Sequence, residues 1–479
     1  MRFLRVLCVL AMVASLTAAA YAATQSVKVS GDLAVRGILR NNYDYQGSPT
    51  EPDVTRTGLS SAQQNWLMST AEVQVDADLT DNVQTVIRLV NQRDWNVRTK
   101  SIASTTTLAT NGLGGYTANT DEFQVALDLA YVTLKDFIYS PLTLTIGRQN
   151  LWLGKGFVVG ANQQNPGTNL SAPEYTAINS FDAVKAVLDY DPWKITGIYS
   201  KITENAVQDS DDVDLYAVNV GYKFDSYKAE AEGYWVYKKD DSIEKWGGIK
   251  SENDVHTIGL RGSLDPLDVL TLSLEGAYQG GTFVGNRLQI NNRPRSAYAL
   301  DAAAELRILM DKFAWKPKIG AEYILYSGDK TTSNSAAAAG DYTGWDPMYR
   351  GKFDSAIREF VGRYYATARY PANPNRTQTY ADAAFTNQQQ FIVRGSLQPI
   401  ESLALAANYN VFWNLEDYDV AVAKSGGIIG HEIDLQATWD YTEDVSFGLL
   451  AGWFIPGEVY YDNRNDIATD IVGTVKVSF

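Results

Sequence analysis

The chain has 479 residues, of which 45% are hydrophobic, 12% are aromatic and 37 are glycine. Its formal net charge of −15 at pH 7 argues against a nucleic-acid-binding protein, because nucleic acids attract basic surfaces. After the first residues, no apolar run is long enough for a transmembrane helix, which needs about 20 apolar residues. The length and composition therefore allow either several soluble domains or one large barrel of half-apolar strands.

The first residues have the pattern of a secretory signal peptide. Arg2 and Arg5 flank the start of an apolar run, and residues 20–22 have the A-x-A form of a cleavage site. We therefore predict that residues 1–22 are removed and that residues 23–479 form the mature protein. Cys8 is the only cysteine of the chain, so the mature protein would contain neither disulfides nor thiolate metal ligands.

Alternation of apolar and polar residues predicts β-strands along the rest of the chain. In the stretch 430–460, Ile433 and Leu435 alternate with Glu432 and Asp434. A period of two places the apolar residues on one face of a strand and the polar residues on the other. About eighteen such strands are predicted, at 27–45, 65–79, 83–92, 122–134, 142–149, 181–190, 193–202, 213–224, 227–237, 255–264, 269–279, 296–310, 314–326, 388–398, 402–413, 433–441, 445–453 and 471–479.

The connections between these strands alternate in length. Short turns rich in Asp, Pro, Asn and Ser, such as 80–82 and 191–192, alternate with long polar loops. In bacterial barrels the short turns are periplasmic and the long loops are extracellular. Because a sheet in lipid cannot keep an open edge, the pattern predicts an all-β fold, a transmembrane antiparallel β-barrel of about 18 strands. Such a barrel belongs in the outer membrane of a Gram-negative-type envelope, in contact with its lipid.

The chain ends on Phe479 after an alternating strand. A terminal aromatic residue is similar to the recognition end of outer-membrane barrel proteins. We therefore expect Phe479 to engage the barrel-assembly machinery.

Charged side chains are costly against lipid and acceptable beside water, so strand alternation assigns them to the lumen. The basic residues assigned to the lumen are Arg36, Arg40, Arg88, Lys185, Lys223, Arg261, Arg307, Lys318 and Arg394. The acidic residues assigned to the lumen are Asp128, Glu230, Glu232, Glu275, Asp301, Glu305, Glu322, Glu432 and Asp434. Ladders of charge would select among solutes, and the alternative is that individual charges pair and fill space.

The segment 146–156, I-G-R-Q-N-L-W-L-G-K-G, ends one predicted strand. Alternation turns Arg148 outward, whereas a bulge at Gly147 or emergence above the lipid would bring it to the pore mouth as an anion ligand. Gly154 and Gly156 do not form a phosphate-binding loop, because the spacing G-x-x-x-x-G-K-[ST] is absent. Arg148 is therefore a further candidate for the solute pathway.

The insertion 327–387 is too long for a bare connection between two strands. It contains the sequence W-D-P-M-Y at 345–349 and many tyrosines. We predict that it forms a lid or an inward-folded constriction of the lumen. The alternative is a loop on the outer surface.

Several of these segments resemble the alginate export family of outer-membrane proteins. The resemblance is carried by A-Y-V-T-L-K and I-G-R-Q-N-L-W-L-G-K-G within 125–159, F-D-A-V-K at 181–185, W-D-P-M-Y at 345–349, and G-H-E-I-D-L and F-I-P-G within 430–457. It implies an eighteen-stranded monomeric barrel. The best-known family member secretes an anionic polyuronate through an arginine-rich lumen that loops gate. Lys185 stands where the family often has arginine.

We therefore expect passive passage of a polar or charged solute, such as an anionic polysaccharide or sugar acid. One alternative is a general or cation-preferring porin for small hydrophilic solutes, and another is a structural or adhesive barrel with a blocked lumen. An enzyme is not expected, because the only histidines are His256, predicted on the lipid face, and His431, at the outer end of a strand. No catalytic residue, cofactor or metal site is predicted.

Overall fold

The computed structural model describes most of the chain after residue 25. The described residues are 26–42, 63–95, 125–162, 179–204, 212–241, 243–244, 250–251, 253–284, 292–308, 314–329, 340–359, 385–416, 427–459 and 466–479. The predicted signal peptide, 1–22, lies outside these ranges. Among the described residues, no helix is long and apolar enough to cross a membrane.

Most of the described residues lie in β-strands. The strands are β1 (Ser26–Asn41), β2 (Gln63–Thr80), β3 (Val83–Asp94), β4 (Ala126–Leu134), β5 (Leu142–Gln149), β6 (Phe181–Tyr190), β7 (Trp193–Thr203), β8 (Val213–Lys223), β9 (Glu230–Asp240), β10 (Ile243–Glu244), β11 (Lys250–Ser251), β12 (Val255–Leu267), β13 (Leu270–Phe283), β14 (Arg293–Arg307), β15 (Lys318–Tyr326), β16 (Gln388–Ile400), β17 (Leu403–Trp413), β18 (Ile428–Asp440), β19 (Val445–Pro456) and β20 (Ala468–Ser478).

Eighteen of these strands form one closed antiparallel sheet. Each strand hydrogen-bonds to its neighbours in the chain, except that β9 pairs with β12 and the short β10 and β11 form a separate hairpin. The first strand, β1, pairs with both β2 and β20, from Asp32↔Ser478 to Asn41↔Thr469, and this pairing closes the ring. A closed ring leaves no sheet edge without hydrogen-bond partners. The predicted all-β barrel of about 18 strands is thus confirmed.

The predicted strands correspond one to one to the eighteen barrel strands, and the differences lie at their ends. Strand β9 begins at Glu230 rather than at 227, because Tyr227 and Lys228 adopt positive φ values of 59° and 46° in the preceding turn. Strand β15 begins at Lys318 rather than at 314, because Lys316 has a φ of 46° and Pro317 has no N–H to donate.

The two faces of the barrel wall differ in composition. On β18, Glu432 and Asp434 are 0% and 2% exposed, whereas Ile433 and Leu435 are 39% and 46% exposed. The polar face therefore points into the ring and the apolar face points outward. Outward apolar side chains recur on other strands, for example at Val73, as a lipid-facing surface requires.

Two connections at the same end of the barrel fold into the ring instead of over it. We call residues 150–162 the first inserted segment and residues 340–359 the second inserted segment. The N–H of Tyr349 donates to the carbonyl of Val158 at 3.0 Å, and the N–H of Gly160 donates to the carbonyl of Tyr349 at 2.7 Å. The two segments therefore pair with each other inside the barrel.

The hydrophobic core of the molecule lies inside the ring, where these segments meet the wall. Phe157 of the first inserted segment stacks on the inward-facing Tyr326, with ring centroids 5.8 Å apart. The ring of Trp345, from the second inserted segment, lies 6.1 Å from Phe157. A barrel this wide cannot be filled by wall side chains alone, so the inserted segments supply the buried apolar surface.

Candidate functional site

The second inserted segment is fixed to the wall by a cluster of ion pairs. Glu322 on β15 forms ion pairs with Lys352 of the segment and with Arg394 on β16. The Arg394 Nη2 atom also donates to Asp354 Oδ1 at 2.7 Å, and Lys352 Nζ lies 3.6 Å from the inward-facing Asp301. Burial alone would lower the pKa of Lys352, but the three carboxylates raise it above its usual value. Arg394, predicted to line the pathway, is thus held by carboxylates.

Arg350 anchors the same segment in an aromatic cage. Its guanidinium lies over the rings of Phe157, Tyr326 and Phe385, at 5.3, 5.6 and 5.0 Å from their centroids. Its Nη2 atom donates to Asp354 Oδ2 at 2.9 Å. A buried guanidinium needs such partners, because desolvation without them is costly. Arg350 therefore helps to fix the position of Asp354.

Glu432 and Asp434 bind backbone rather than solute. The carboxylate of Glu432 accepts hydrogen bonds from the N–H groups of Ile357 and Arg358, both at 2.7 Å. Asp434 accepts one from the N–H of Ala356 at 3.3 Å. Backbone N–H groups in a buried segment need acceptors, and the two carboxylates on β18 supply them. These two predicted pathway residues hold the second inserted segment in place.

A further ion pair lies where the second inserted segment begins. Lys238 Nζ on β9 is 2.5 Å from Asp346 Oδ2, and Gln279 bonds to both the N–H and the carbonyl of Asp346. Burial would raise the pKa of Asp346, but the Lys238 ammonium outweighs burial and holds the pKa at about 2. Asp346 therefore stays ionised at neutral pH.

Arg261 on β12 lies between carboxylates of the two neighbouring strands, β9 and β13. Its two terminal nitrogens bind Glu230 at 2.6 Å and Glu232 at 2.5 Å. On β13, Glu275 accepts a hydrogen bond from the hydroxyl of Tyr234 at 2.8 Å. Arginine suits this position because its planar fork binds two carboxylates at once.

Arg88 on β3 is paired in the same way. Its guanidinium binds Asp128, lies 3.8 Å from Glu72, and Ser180 donates to the other Asp128 oxygen at 3.1 Å. The remaining inward-facing arginines also have partners: Arg36 donates to Thr70 at 3.0 Å, Arg40 lies 3.6 Å from Asp470, and Arg307 lies 3.2 Å from Asp265. The lumen arginines are therefore bound to the barrel itself.

Three inward-facing lysines differ from these arginines. Lys185 on β6, Lys194 on β7 and Lys223 on β8 line one cavity of about 370 Å³ together with Asn219. Within the described part of the chain, none of the three ammonium groups has a carboxylate within 4 Å. We call this space the lysine cavity. Lys194 was not among the predicted pathway residues, although alternation along 193–202 places it on the same face as Ile198.

A second cavity, of about 710 Å³, lies beneath the second inserted segment. Its lining includes Lys352, Asp354, Arg394, Arg307 and Lys318. We call it the ion-pair cavity. Strand alternation located its wall residues, but it gave no signal for Lys352 or Asp354, because the second inserted segment has no regular period.

Arg148 lies on the outer face, which differs from its predicted place on the solute pathway. The ladders of β5 with β4 and β6 run through Gly147 without a shift of register, so no bulge redirects the next side chain. Arg148 Nη1 binds Asp182 at 3.1 Å, and Asp182 is itself on the outer face of β6. The positive φ of Gly147, 122°, does not change this alternation.

Both histidines also lie on the outer face. His256 stacks on Tyr237 with ring centroids 4.1 Å apart, and His431 Nδ1 lies 2.9 Å from the hydroxyl of Tyr409. Neither imidazole faces the lumen. Within the described ranges, no group of three His, Cys, Asp or Glu side chains is arranged to hold a metal ion.

Comparisons with known proteins agree with this geometry. The sequence profile of the alginate export family matches residues 48–474. No curated protein matches the sequence. Among solved structures, OccAB3 of Acinetobacter baumannii has a TM-score of 0.54 at 10% identity, with 94% of this chain and 99% of that chain covered. Pseudomonas aeruginosa OpdK with vanillate has a TM-score of 0.53 at 9% identity, with 94% and 99% covered. A BenF-like porin from Pseudomonas fluorescens has a TM-score of 0.53 at 10% identity, with 95% and 100% covered.

Proposed function

Because this chain belongs to the alginate export family and forms an outer-membrane channel, we propose that it passes an anionic solute, such as an anionic polysaccharide or sugar acid. The family and the porin-like neighbours indicate a channel rather than an enzyme. The observation that carries the proposal is the difference in pairing between the lumen arginines and the three lysines of the lysine cavity.

The arginines are neutralised within the protein, so they add little free charge to the pathway. In the lysine cavity, Glu230 and Glu232 are already bound to Arg261. Asp189 and Asp191 also line this cavity and partly offset Lys185, Lys194 and Lys223. Counted together with Arg261, four cationic groups stand against four carboxylates, so the wall has no net charge. What favours an anion is that, among the described residues, no carboxylate lies within 4 Å of the three ammonium groups, which leaves them able to bind one.

We also propose that the insertion 327–387 forms a constriction of the lumen. Support comes from its residues 340–359, whose contacts with Glu322, Arg394 and Glu432 all involve inward-facing side chains. A segment anchored to several strands from within narrows the path between the two ends of the barrel.

Four further expectations belong to the proposal. The short turns would face the periplasm, the barrel would work as a monomer, and residues 1–22 would be removed on export. Phe479, whose backbone bonds reciprocally with Gly31 at 2.9 Å in both directions, would be the residue that the assembly machinery recognises.

The test is the reversal potential of the purified barrel in planar bilayers under a salt gradient. We expect an anion-selective current that loses most of its selectivity in the variant Lys185→Gln/Lys194→Gln/Lys223→Gln. The control is the triple variant Lys201→Gln/Lys228→Gln/Lys239→Gln, which removes the same number of positive charges from lysines that do not line the cavity. The control should stay anion-selective.

Two outcomes would contradict the proposal. A cation-selective current in the wild-type barrel would favour the general, cation-preferring porin, which the net charge of −15 supports. A barrel that assembles but carries no current would favour a structural role with a blocked lumen.

A further inference from the structure

Trp152 of the first inserted segment is a large apolar side chain that remains open to the lumen. It is 55% exposed although it lies within the barrel, where neighbouring residues such as Leu151 and Phe157 are almost fully buried. It lines both the lysine cavity and the ion-pair cavity. The indole therefore stands between the two spaces through which a solute would pass.

The Trp152 indole packs closely against glycine backbone. The ring packs against Gly156, Gly160 and Gly351, and a methyl group on Gly351 would lie 2.7 Å from the ring atom Cζ3. Gly156 has a φ of 75°, which a larger residue adopts only with strain. Any residue larger than glycine at these three positions would clash with the indole or with the neighbouring backbone. Gly351 belongs to the second inserted segment. Both segments therefore hold the ring.

A hydrogen bond fixes the rotation of the same ring. The Trp152 Nε1–H donates to the carbonyl of Gly154 at 2.9 Å, so the indole dipole is already satisfied. A buried tryptophan usually needs such a partner for its N–H. The remaining open surface of the side chain is aromatic and apolar, and it costs little entropy to bind because it is already ordered.

From this geometry we propose that Trp152 is a stacking platform for the ring of a sugar acid, with Lys185 as the partner of its carboxylate. This inference rests on the proposed function and narrows the solute to a uronate. The face of an indole is negatively polarised, and a pyranose presents a face of positively polarised C–H groups. Lys185 lines the same cavity as Trp152, and no carboxylate of the described residues lies within 4 Å of its ammonium group. A ring on the indole therefore has a cationic partner within the same space.

The test compares three solutes as blockers of the open channel in planar bilayers. Trigalacturonate combines pyranose rings with carboxylates, maltotriose has the rings without the charge, and citrate has three carboxylates without a ring. Trigalacturonate should block at the lowest concentration. In Trp152→Leu, which keeps an apolar side chain on the glycines, its Kd should rise about tenfold, or ~1.4 kcal/mol.

Two matched variants control for disturbed folding. Trp152→Phe keeps an aromatic face at the same position and should restore most of the trigalacturonate block. Trp193→Leu removes a tryptophan from the outer face of β7 and should leave the block as in the wild-type barrel. Block by citrate should be the same in all three variants, because citrate has no ring to stack.

The possible failures are distinguishable. An unchanged Kd for trigalacturonate in Trp152→Leu, in a barrel that is still anion-selective, would overturn the platform and leave the proposed function standing. Equal block by maltotriose and trigalacturonate in the wild-type barrel would overturn the uronate assignment. A wild-type barrel without anion selectivity would overturn the proposed function itself.

Discussion

Two regions of the lumen wall both carry basic and acidic side chains, but these side chains have different partners. At the wall of β12 to β18, Glu322 and Arg394 form ion pairs with Lys352 and Asp354 of the second inserted segment. These charged groups therefore hold the segment in place. On the wall of β6 to β8, Lys185 lines the lysine cavity, and no carboxylate of the described residues lies within 4 Å of its ammonium group. The charged side chains of the first wall fix the position of the inserted segment, whereas the lysines of the second wall can bind a solute.

The side-chain chemistry explains this division. A guanidinium is planar, weakly hydrated and able to bind two carboxylates, so arginine suits a buried network such as Arg261 with Glu230 and Glu232. An ammonium is strongly hydrated and sits on a flexible stem, so lysine suits a wet wall where partners exchange. An arginine in a channel lumen is therefore not by itself a sign of a solute contact.

The largest loss of stability is expected when Glu322, which binds both Lys352 and Arg394, is replaced. In Glu322→Ala, Lys352 and Arg394 lose their shared carboxylate in a largely buried site. Removing one partner of a buried ion pair costs about 3–5 kcal/mol. We expect the free energy that keeps residues 352–358 closed to fall by that amount, as measured by hydrogen exchange of their amides.

The matched control for that variant is Glu305→Ala on the neighbouring strand. Glu305 is half-exposed, and its ion pairs among the described residues are long, 3.6 Å to Arg307 and 3.9 Å to Lys318. Exposed pairs contribute about 0–1 kcal/mol, so exchange in 352–358 should hardly change. Equal exchange in both variants would mean that Glu322 does not hold the segment.

A smaller effect is expected at β18. In Glu432→Gln, one charged acceptor for the N–H groups of Ile357 and Arg358 becomes neutral. Hydrogen bonds to charged groups contribute about 1.5–3 kcal/mol, and we expect a loss at the lower end because the amide oxygen still accepts. Exchange of these two amides should quicken while Lys352 keeps its protection. Unchanged exchange would contradict the anchoring role of Glu432.

The second wall should respond in selectivity rather than in stability. Lys185→Gln removes from the lysine cavity one charge that has no ion-pair partner among the described residues. A unit charge acting across ~4 Å of water contributes about 1 kcal/mol, so the anion-to-cation permeability ratio should fall about fivefold at most. Lys201→Gln, which removes a lysine bound to Asp212 and Asp214 on the outer face, should leave the ratio unchanged. A fall in both variants would point to a general charge effect.

The sequence predicted the barrel and its inner face well because both follow from a period of two. Alternation along β18 put Glu432 and Asp434 inside, and register with the neighbouring strands keeps them there. What those carboxylates bind could not be predicted. Their partners, the backbone N–H groups of 356–358, belong to a segment with no period, so only tertiary packing brings them together.

The same limit explains Trp152. The sequence marks L-W-L-G-K-G as unusual, but its glycines gain meaning only beside Gly351, almost two hundred positions later in the chain. The local sequence shows that the first inserted segment is rich in glycine and apolar residues. It does not predict the contact between the two inserted segments that leaves the Trp152 side chain 55% exposed.

The smallest effect on stability and selectivity is expected at Arg148, which lies on the outer face of the barrel rather than among the lumen side chains of either wall. Its ion pair with Asp182 lies outside the lumen and is partly exposed, so Arg148→Ala should cost about 0–1 kcal/mol of barrel stability. The permeability ratio should match that of the wild-type barrel, because no lumen charge is lost. Parallel bilayer and thermal-unfolding measurements on Arg148→Ala and Lys185→Gln test this directly. A fall in selectivity in Arg148→Ala would return this arginine to the pore mouth, and would mean that strand alternation fails beside Gly147.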